Sequence, residues 1–280
     1  MKQILWFRRD LRVNDSAILS FAKDEVLPIF IFDKNILDKL QVDDKRVTFI
    51  YKSVLKLKED LKNLGLDLAV FYSTPKEVFE GFKNQGFDSV LCSVDFDDYA
   101  KKRDEEIAKI IPMQTFFDSF ITHPNDCLKA DKTPYKVFTP YYNNLKFIWN
   151  SYRLEEFETN KNLKLIPFDF DSIPTLENMG FIKQTLPDFL QKNPDELLKD
   201  FEQKIDNYKI DRDFFDKDAT SNLAVHLRFG LISPRQVFNK IKELKARTEN
   251  KEFFIRELFW REFYNYILFH FPKSETSNLN

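Results

Sequence analysis

The sequence predicts an α/β protein in which an N-terminal doubly wound parallel sheet is followed by a long connector and then by the start of an all-helical domain. Short apolar runs alternate with amphipathic runs through the first part, as parallel strands and crossover helices do. The pattern then loosens and seven prolines occur between residues 123 and 198. After residue 195 only helical patterns remain. We therefore expect an α/β domain at 1–122, a connector over the surface at 123–198 and a helical part at 199–280.

Each element of the α/β domain is predicted from its own pattern. Short apolar runs bounded by turn residues indicate buried strands, and apolar residues three or four apart indicate helices. Gly65 stands where the second helix should end, because glycine adopts the left-handed conformation of a helix C-terminus without strain. The predicted strands are Ile4–Phe7, Val26–Phe32, Leu68–Tyr72, Val90–Ser93 and Gln114–Phe117, and the predicted helices are Asp15–Ala22, Arg46–Leu64, Lys76–Phe82 and Tyr99–Ile110.

The turn after the first strand carries charge instead of glycine. Arg8, Arg9 and Asp10 occupy the place where a dinucleotide-binding fold has its glycine-rich phosphate turn, so that mode of dinucleotide binding is not expected. Two alternatives remain open for these residues: a salt-bridge cluster at the strand end, or contacts with a ligand.

In the connector, the run 135–141 precedes a short predicted helix at Tyr142–Trp149. The acidic stretch Asp206–Asp218 is either a solvated linker or a loop held by its few basic residues. Residues 151–225 are acidic by six charges and residues 226–280 are basic by four, within a net charge of -2. Only the last stretch favours an anionic partner.

Cysteine content and hydropathy exclude two classes of protein. Cys92 and Cys127 form no metal-ligand spacing and no disulfide framework, which favours a reducing compartment. No signal peptide follows Met1 and no apolar run reaches eighteen residues. The sequence predicts a soluble, intracellular protein, placed in the cytoplasm, with no bound metal.

Two features of the helical part could carry chemistry. Thr220, Ser221 and Asn222 precede an apolar run, an arrangement that caps a helix and that can also bind phosphate; capping is the favoured interpretation from the residues alone. Ser233 and Pro234 mark the start of another helix. His226 is expected to be a core residue. No catalytic triad can be assembled, so a reaction would depend on a cofactor.

The second feature is one face of the helix predicted at 253–271. Glu257, Trp260, Arg261 and Tyr264 recur three or four residues apart and project together. Such a stripe suits a flat ring. The alternative is an ion pair between Glu257 and Arg261 beside a core tryptophan.

Four separated motifs in the same order resemble those of the DNA photolyase and cryptochrome family. These are Trp6–Arg12, Tyr135–Pro140, the run Thr220–Leu223 with Leu231–Arg235, and Glu257–Tyr264. In that family an α/β domain, which can hold an antenna chromophore, is joined by a long connector to a helical domain that binds FAD. The resemblance implies light-driven repair of UV-damaged DNA, in which excited reduced FAD splits cyclobutane pyrimidine dimers, by a protein that is a monomer when complete.

The resemblance also assigns residues. The FAD-binding set that it implies is Tyr208, Thr220, Ser221, Asn222, Leu223, Ala224, Phe254, Glu257, Arg261 and Tyr264. The DNA-binding set is Arg212, Glu257, Trp260 and Tyr264, with Glu257 and Trp260 as the residues that contact the dimer. The alternative for Arg212 is pairing with Asp211, Asp213 or Asp216.

The sequence departs from the family pattern in three places. Phe254 stands where many members have tryptophan. Tyr99-Ala100 stands where members with a folate antenna have Asn-Glu, so folate is disfavoured and a deazaflavin, another flavin or an empty site remains open. The sequence stops at Asn280, before the family's remaining FAD contacts and electron-transfer tryptophans. We therefore expect a fragment of a longer protein, with the apolar faces of 223–229 and 253–271 exposed.

Two other functions remain compatible with the sequence. One is a cryptochrome, a flavin photoreceptor that signals without repairing DNA. The other is a non-catalytic nucleotide-binding α/β module with a helical interaction tail, which would bind no flavin.

Overall fold

The structure, a computed structural model, describes residues 1–150 and 153–277 apart from the side chain of Trp149; residues 151–152 of the predicted connector and 278–280 of the predicted helical part lie outside the described residues. All strand pairings are parallel, in the order β3-β2-β1-β4-β5, with β6 beside β2. The predicted doubly wound sheet is confirmed. The strands are β1 (Lys2–Phe7), β2 (Glu25–Asp33), β3 (Ala69–Ser73), β4 (Ser89–Ser93), β5 (Met113–Phe116) and β6 (Lys164–Leu165).

β1 is the central strand, and its sequence explains why. Leu5 and Phe7 pack into one hydrophobic core, whereas Ile4 and Trp6 point to the opposite face and pack into another. All four are buried, as expected of a strand covered on both faces by helices.

Within residues 1–150 and 153–277, five α-helices flank the sheet and seven belong to the connector and the helical part. The long helix predicted at 46–64 spans 45–62; Asp44 caps its start by accepting from the N–H of Arg46, and Gly65 follows its end with φ +75°. The helices are α1 (Ala17–Phe21), α2 (Lys34–Leu37), α3 (Lys45–Lys62), α4 (Pro75–Phe82), α5 (Asp98–Ala108), α6 (Phe138–Leu145), α7 (Asp188–Gln191), α8 (Pro194–Glu202), α9 (Tyr208–Asp211), α10 (Ala224–Phe229), α11 (Pro234–Glu243) and α12 (Thr248–His270).

Two predicted helices have different boundaries in the structure. The first helix begins at Ala17 and not at Asp15, because Asp15 has φ +50° and its side chain is used in contacts far along the chain. The helix predicted at Tyr142–Trp149 begins at Phe138 and ends at Leu145, and a 3-10 helix at Lys146–Asn150 follows it.

The connector is more than a surface segment. Its residues Lys164–Leu165 add a strand to the sheet, with the N–H of Lys164 donating to the carbonyl of Asp24 at 2.7 Å. Leu176, Met179 and Phe181 are buried in the core beside α3. The expectation of a connector lying only on the surface is therefore wrong.

The helical part has its own core, centred on α12. Among the buried residues of α12 are Phe254, Phe259 and Phe263, and Leu223 and Leu227 at α10 are buried as well. The expectation that these faces would be exposed is wrong, because α6 of the connector and helices α9 and α11 cover α12. In the part of the chain that the structure describes, no helix has the length and apolar character needed to cross a membrane.

A buried charge cluster joins the α/β domain to the helical part. Arg235, at the start of α11, donates from Nε to both carboxylate oxygens of Asp15, at 3.1 and 3.0 Å, and from Nη2 to Asp118 Oδ1 at 3.1 Å. Its Nη1 donates to the carbonyls of Asp118 and Phe120 at 2.9 and 2.8 Å. Arg12 completes the cluster with a 2.7 Å hydrogen bond to Asp118 Oδ2. All four charged side chains are buried, and the cluster fixes how the two parts meet.

Candidate functional sites

The charged turn after β1 is a salt-bridge cluster. Arg8 donates to Asp104 at 2.6 Å and Arg9 to Asp95 at 3.0 Å. Asp10 is fully buried and accepts from Ser93 Oγ at 2.6 Å and from the N–H of Arg8 at 2.7 Å. Of the two alternatives, the salt-bridge cluster is confirmed, although Arg8 and Arg9 also border a cavity.

This cavity lies at the carboxyl ends of β1 and β2 and has a volume of about 510 Å³. Parallel α/β sheets bind ligands at the edge formed by the carboxyl ends of their strands. Its walls are mainly apolar, and include Ile31, Phe32, Leu37, Leu40 and Ile50. The cavity is therefore suited to a flat aromatic ligand.

Polar residues are placed at one wall of the cavity. The phenol of Tyr99 donates a hydrogen bond to Asp33, and Asn35 Nδ2 donates to the Tyr99 oxygen at 3.3 Å. Burial, together with the bond to Asp33, raises the pKa of Tyr99 to about 12. The guanidinium groups of Arg8 and Arg103 lie 4.8 and 4.9 Å from the ring centroid of Trp6.

The predicted stripe on α12 is only partly one surface. Glu257 forms an ion pair with Arg212, whereas Arg261 turns inward and donates to the carbonyl of Ser119 at 2.7 Å and to Glu262 at 3.3 Å. The alternative interpretation, an ion pair between Glu257 and Arg261, is therefore wrong. Tyr264 is 67% exposed.

Trp260 is held flat against a residue that the sequence did not single out. Its ring stacks on Phe138 with a centroid separation of 3.6 Å and an interplanar angle of 11°. Trp260 is half-buried, and the ring of Tyr264 lies 5.8 Å away. Phe138 belongs to the 135–140 motif, so the sequence marked the segment that contains it. Its stacking partner lies 122 positions later, and the motif does not indicate that contact.

Tyr208, Arg212 and Phe254 form a cluster beside Glu257. The rings of Tyr208 and Phe254 are 5.4 Å apart, and the guanidinium of Arg212 is 5.8 Å from the Tyr208 ring. Burial, and to a lesser extent the charge of Glu257, raises the pKa of Tyr208; the hydrogen bond to Glu257 raises the pKa of Arg212. Arg212 also approaches Asp213 at 3.5 Å, which is one of the predicted pairings.

The run from Thr220 to Ala224 lies at a different surface. The helix begins at Ala224 with Leu223 as its N-cap and without a side-chain cap, so the predicted capping role of the polar run is wrong. Asn222 has φ +57°, which directs the chain away from helical geometry before α10. Thr220, Ser221 and Asn222 instead line a groove of about 380 Å³ together with Lys192 and Lys204. Its described lining includes no residue of α12.

The remaining sequence predictions concern caps, histidine and metals. Ser233 caps α11 by accepting from the N–H of Gln236 at 2.9 Å, with Pro234 in the first turn, as predicted. His226 is fully buried, as predicted, and burial lowers its pKa. Among residues 1–150 and 153–277, no group of three or more His, Cys, Asp or Glu side chains is arranged to hold a metal ion.

Glu262 ties α12 to the end of the α/β domain. Its carboxylate is 2% exposed and accepts from the N–H of Ile121 at 2.9 Å. Burial raises the pKa of Glu262 from 4.5 to about 7, although the nearby Arg261 opposes this. The folded protein therefore binds this proton more tightly than the unfolded chain does.

Replacing Glu262 by glutamine should remove one component of the pH dependence of stability. The stabilisation from the bound proton is fully present below about pH 4.5 and is lost as the pH rises through about 7, a difference of roughly 3 kcal/mol. We expect the free energy of unfolding of the wild type, relative to Glu262→Gln, to fall by this amount between pH 4.5 and 8 in urea titrations. Parallel pH profiles for the two proteins would contradict the assignment.

Comparisons with known proteins agree on one family. A sequence profile described as DNA photolyase matches residues 3–159. The deoxyribodipyrimidine photo-lyase of Alkalihalophilus pseudofirmus is 28% identical over 295 residues, covering 96% of this chain and 59% of that protein. The chain thus spans about 60% of the length of the relatives that it matches.

Solved structures show the same fold. A photolyase from Sulfolobus tokodaii, whose structure contains two FAD molecules, superposes with a TM-score of 0.77 at 26% identity and covers 97% of this chain and 60% of that chain. A Synechocystis cryptochrome superposes with a TM-score of 0.83 at 18% identity and covers 99% of this chain and 63% of that chain. Since the profile spans more than half of the sequence, the chain belongs to the DNA photolyase family.

Proposed function

We propose that the protein repairs UV-damaged DNA in light, as a deoxyribodipyrimidine photo-lyase that splits cyclobutane pyrimidine dimers. The observation that carries the proposal is the placement of Trp260 and Glu257 on one face of α12, with the indole held flat against Phe138. A base removed from the duplex needs a flat apolar partner and a hydrogen-bond acceptor. The two side chains supply these, and they agree with the roles that the family resemblance gives them.

A pyrimidine dimer would be recognised outside the base stack. Removing a damaged base from the duplex costs less than removing a sound one, because the dimer stacks and pairs poorly. Stacking on an aromatic side chain contributes about 1–3 kcal/mol per base. Phe138 limits the rotation of the indole, so little side-chain entropy remains to be lost on binding. In this proposal Glu257 accepts a hydrogen bond from the dimer, and Tyr264 offers an exposed phenol nearby.

The residues proposed to hold FAD fall into two groups with suitable chemistry. Thr220, Ser221 and Asn222 line a groove together with Lys192 and Lys204, which supplies hydroxyl, amide and ammonium groups that can donate to a diphosphate. Lys192 and Lys204 are paired with Asp200 and Asp218, so a diphosphate would have to replace these carboxylates. Tyr208, Phe254, Arg261 and Glu257, with Leu223 and Ala224, are the remaining residues that we assign to the cofactor. When bound and excited in its reduced form, FAD would supply one electron to the dimer and recover it after the ring has split. The protein's part is to hold and orient FAD and the dimer and to exclude water from the site.

Arg212 is proposed as a contact of the DNA backbone. Its guanidinium is engaged by Glu257, so a phosphate would have to share or replace this partner. Backbone contacts of this kind position a protein on DNA without reading its sequence.

The cavity between β1 and β2 is proposed to hold a second, light-harvesting chromophore. Its apolar walls and its volume of about 510 Å³ fit a flavin or deazaflavin ring, and the Sulfolobus relative contains two FAD molecules. Tyr99 would present a neutral phenol to such a ring. Reconstitution with flavins should yield two chromophores per chain for this proposal, and one if the cavity stays empty.

Trp260→Ala tests the proposed dimer site. Stacking of a base on an aromatic side chain contributes about 1–3 kcal/mol, so its loss should weaken binding to dimer-containing DNA about 5- to 150-fold. The flavin content of the protein should be unchanged. Ile182→Ala, a truncation at a residue that is 60% exposed beside the α/β domain, is the matched control and should bind like the wild type.

Two outcomes would count against the proposal. Equal affinity of Trp260→Ala and wild type for damaged DNA would remove the role of Trp260. Flavin binding without repair of damaged oligonucleotide under blue light would favour a photoreceptor of the cryptochrome type.

A further inference from the structure

The side chain of Arg256 on α12 rests on aromatic rings and forms no ion pair with a carboxylate of the described residues. Its guanidinium carbon lies 5.5 Å from the ring centroid of Phe138 and 5.7 Å from that of Tyr142. Its Nε is buried and donates no hydrogen bond. Arginines placed over rings in this way are held in position by cation–π attraction, but their charge stays uncompensated.

The acidic residues closest along α12 are already used. Glu252, one turn before Arg256, lies 3.5 Å from Lys146, and Glu257 is paired with Arg212. Within the described ranges, none of the ion pairs includes Arg256. A cation whose acidic neighbours are paired with other basic residues is suited to an anion from another molecule.

Arg256 is also adjacent to the proposed dimer site. It precedes Trp260 by four residues, so the two side chains lie on the same face of α12, and the Trp260 side chain leans back toward the turn that carries Arg256. Both side chains contact Phe138. A nucleotide whose base stacks on Trp260 would therefore bring its own or a neighbouring phosphate within reach of Arg256.

We propose that Arg256 binds a backbone phosphate of the DNA strand whose base stacks on Trp260. This inference rests on the proposed function, because it needs DNA at that indole. A guanidinium can donate two parallel hydrogen bonds to a phosphate, and such a contact sets the position of the strand relative to Trp260 without selecting a sequence. The basic excess of residues 226–280 has the sign that this partner requires.

The experiment measures binding of the 280-residue chain to a short duplex with one thymine dimer, and to the undamaged duplex, over a series of salt concentrations. For Arg256→Gln we expect about tenfold weaker binding to the damaged duplex at low salt and a log–log salt slope shallower by about 0.9, the change for one phosphate contact. Arg256→Lys should restore the slope in part, since it keeps the charge but not the paired hydrogen bonds. Lys23→Gln, which removes an exposed charge from the α/β domain, should change neither quantity.

The outcomes separate this inference from the proposed function. A wild-type preference for damaged DNA together with an unchanged salt slope in Arg256→Gln would overturn the phosphate contact alone. A wild type with no preference for damaged DNA would overturn the proposed function of the chain and the Arg256 contact with it. A thermal unfolding midpoint equal to that of the wild type would verify that the fold of each variant is intact.

Discussion

Arg235→Met is expected to lower the free energy of unfolding by about 3–5 kcal/mol, the range found when one partner of a buried ion pair is removed. Arg235 is buried and is the donor to Asp15, Asp118 and two backbone carbonyls. Methionine fills a similar volume but donates no hydrogen bond, so the buried carboxylate of Asp15 would lose its ion pair, whereas Asp118 would keep Arg12. Urea denaturation followed by circular dichroism measures the effect.

The control for Arg235 is an arginine in an exposed ion pair. Arg46 pairs with Asp44 with 66% of its side chain exposed, so Arg46→Met should cost about 0–1 kcal/mol. Arg235→Lys is expected to fall between wild type and Arg235→Met, because an ammonium keeps the charge but cannot reach all of the acceptors. A loss below 1 kcal/mol in Arg235→Met would show that the cluster does not hold the two parts of the chain together.

Gly230→Ala is expected to destabilise the protein by about 2–5 kcal/mol through two additive effects. Gly230 ends α10 with φ +68°, a conformation that costs a residue with a side chain about 1–2 kcal/mol. A Cβ there would also meet the backbone of the turn after β1, at 2.6 Å from the Cα of Asp10 and 2.7 Å from the carbonyl carbon of Arg9. Overpacking of this kind typically costs a further 1–3 kcal/mol.

Gly65→Ala separates the two effects. Gly65 has a similar φ of +75°, but a Cβ at this position would meet no atom of the described residues within 4 Å, apart from its own residue and its two chain neighbours. We therefore expect Gly65→Ala to show the conformational cost alone, about 1–2 kcal/mol in the same denaturation experiment. Equal losses in the two variants would mean that the turn after β1 moves freely to accept the methyl group.

Arg235 and Gly230 both lie where the α/β domain meets the helical part. The N–H of Leu11 donates to the carbonyl of Phe229 at 3.1 Å, next to Gly230, and Arg12 donates to the carbonyl of Gly230 at 3.2 Å. The same turn borders the cavity proposed for the second chromophore. A fixed junction would keep the two proposed chromophores at one distance and orientation, which energy transfer between them would need.

The sheet was predictable from sequence because its signals are local. Apolar runs such as Ile4–Phe7 are short, bounded and almost wholly buried, and the helices between them are long enough to reverse the chain. The predicted ends of strands and helices in this domain differ from the observed ends by up to two residues. Asp15 is the clearest case, since the sequence reads as helical there but the carboxylate is used by Arg235, 220 positions away.

The site was predictable only as a set of residue types. The spacing of Glu257, Trp260, Arg261 and Tyr264 indicated a shared face of one helix, and the family resemblance supplied their roles. The spacing could not show that Glu257 pairs with Arg212 while Arg261 turns toward Ser119, because either partner is sterically possible for a flexible charged side chain.

Local patterning was thus sufficient for the α/β class, for the order of strands and helices in the α/β domain and for the helical character of residues 199–280. The resemblance of four motifs indicated the family. The tertiary structure was needed for the strand at Lys164–Leu165, the stack of Phe138 on Trp260, the buried cluster around Arg235 and the cavity beside Tyr99. Each of these depends on residues far apart in sequence, whose contact is favourable only after the elements between them have formed and packed. Periodicity reports what a segment of ten or twenty residues prefers, and it contains no record of which distant segment will cover it.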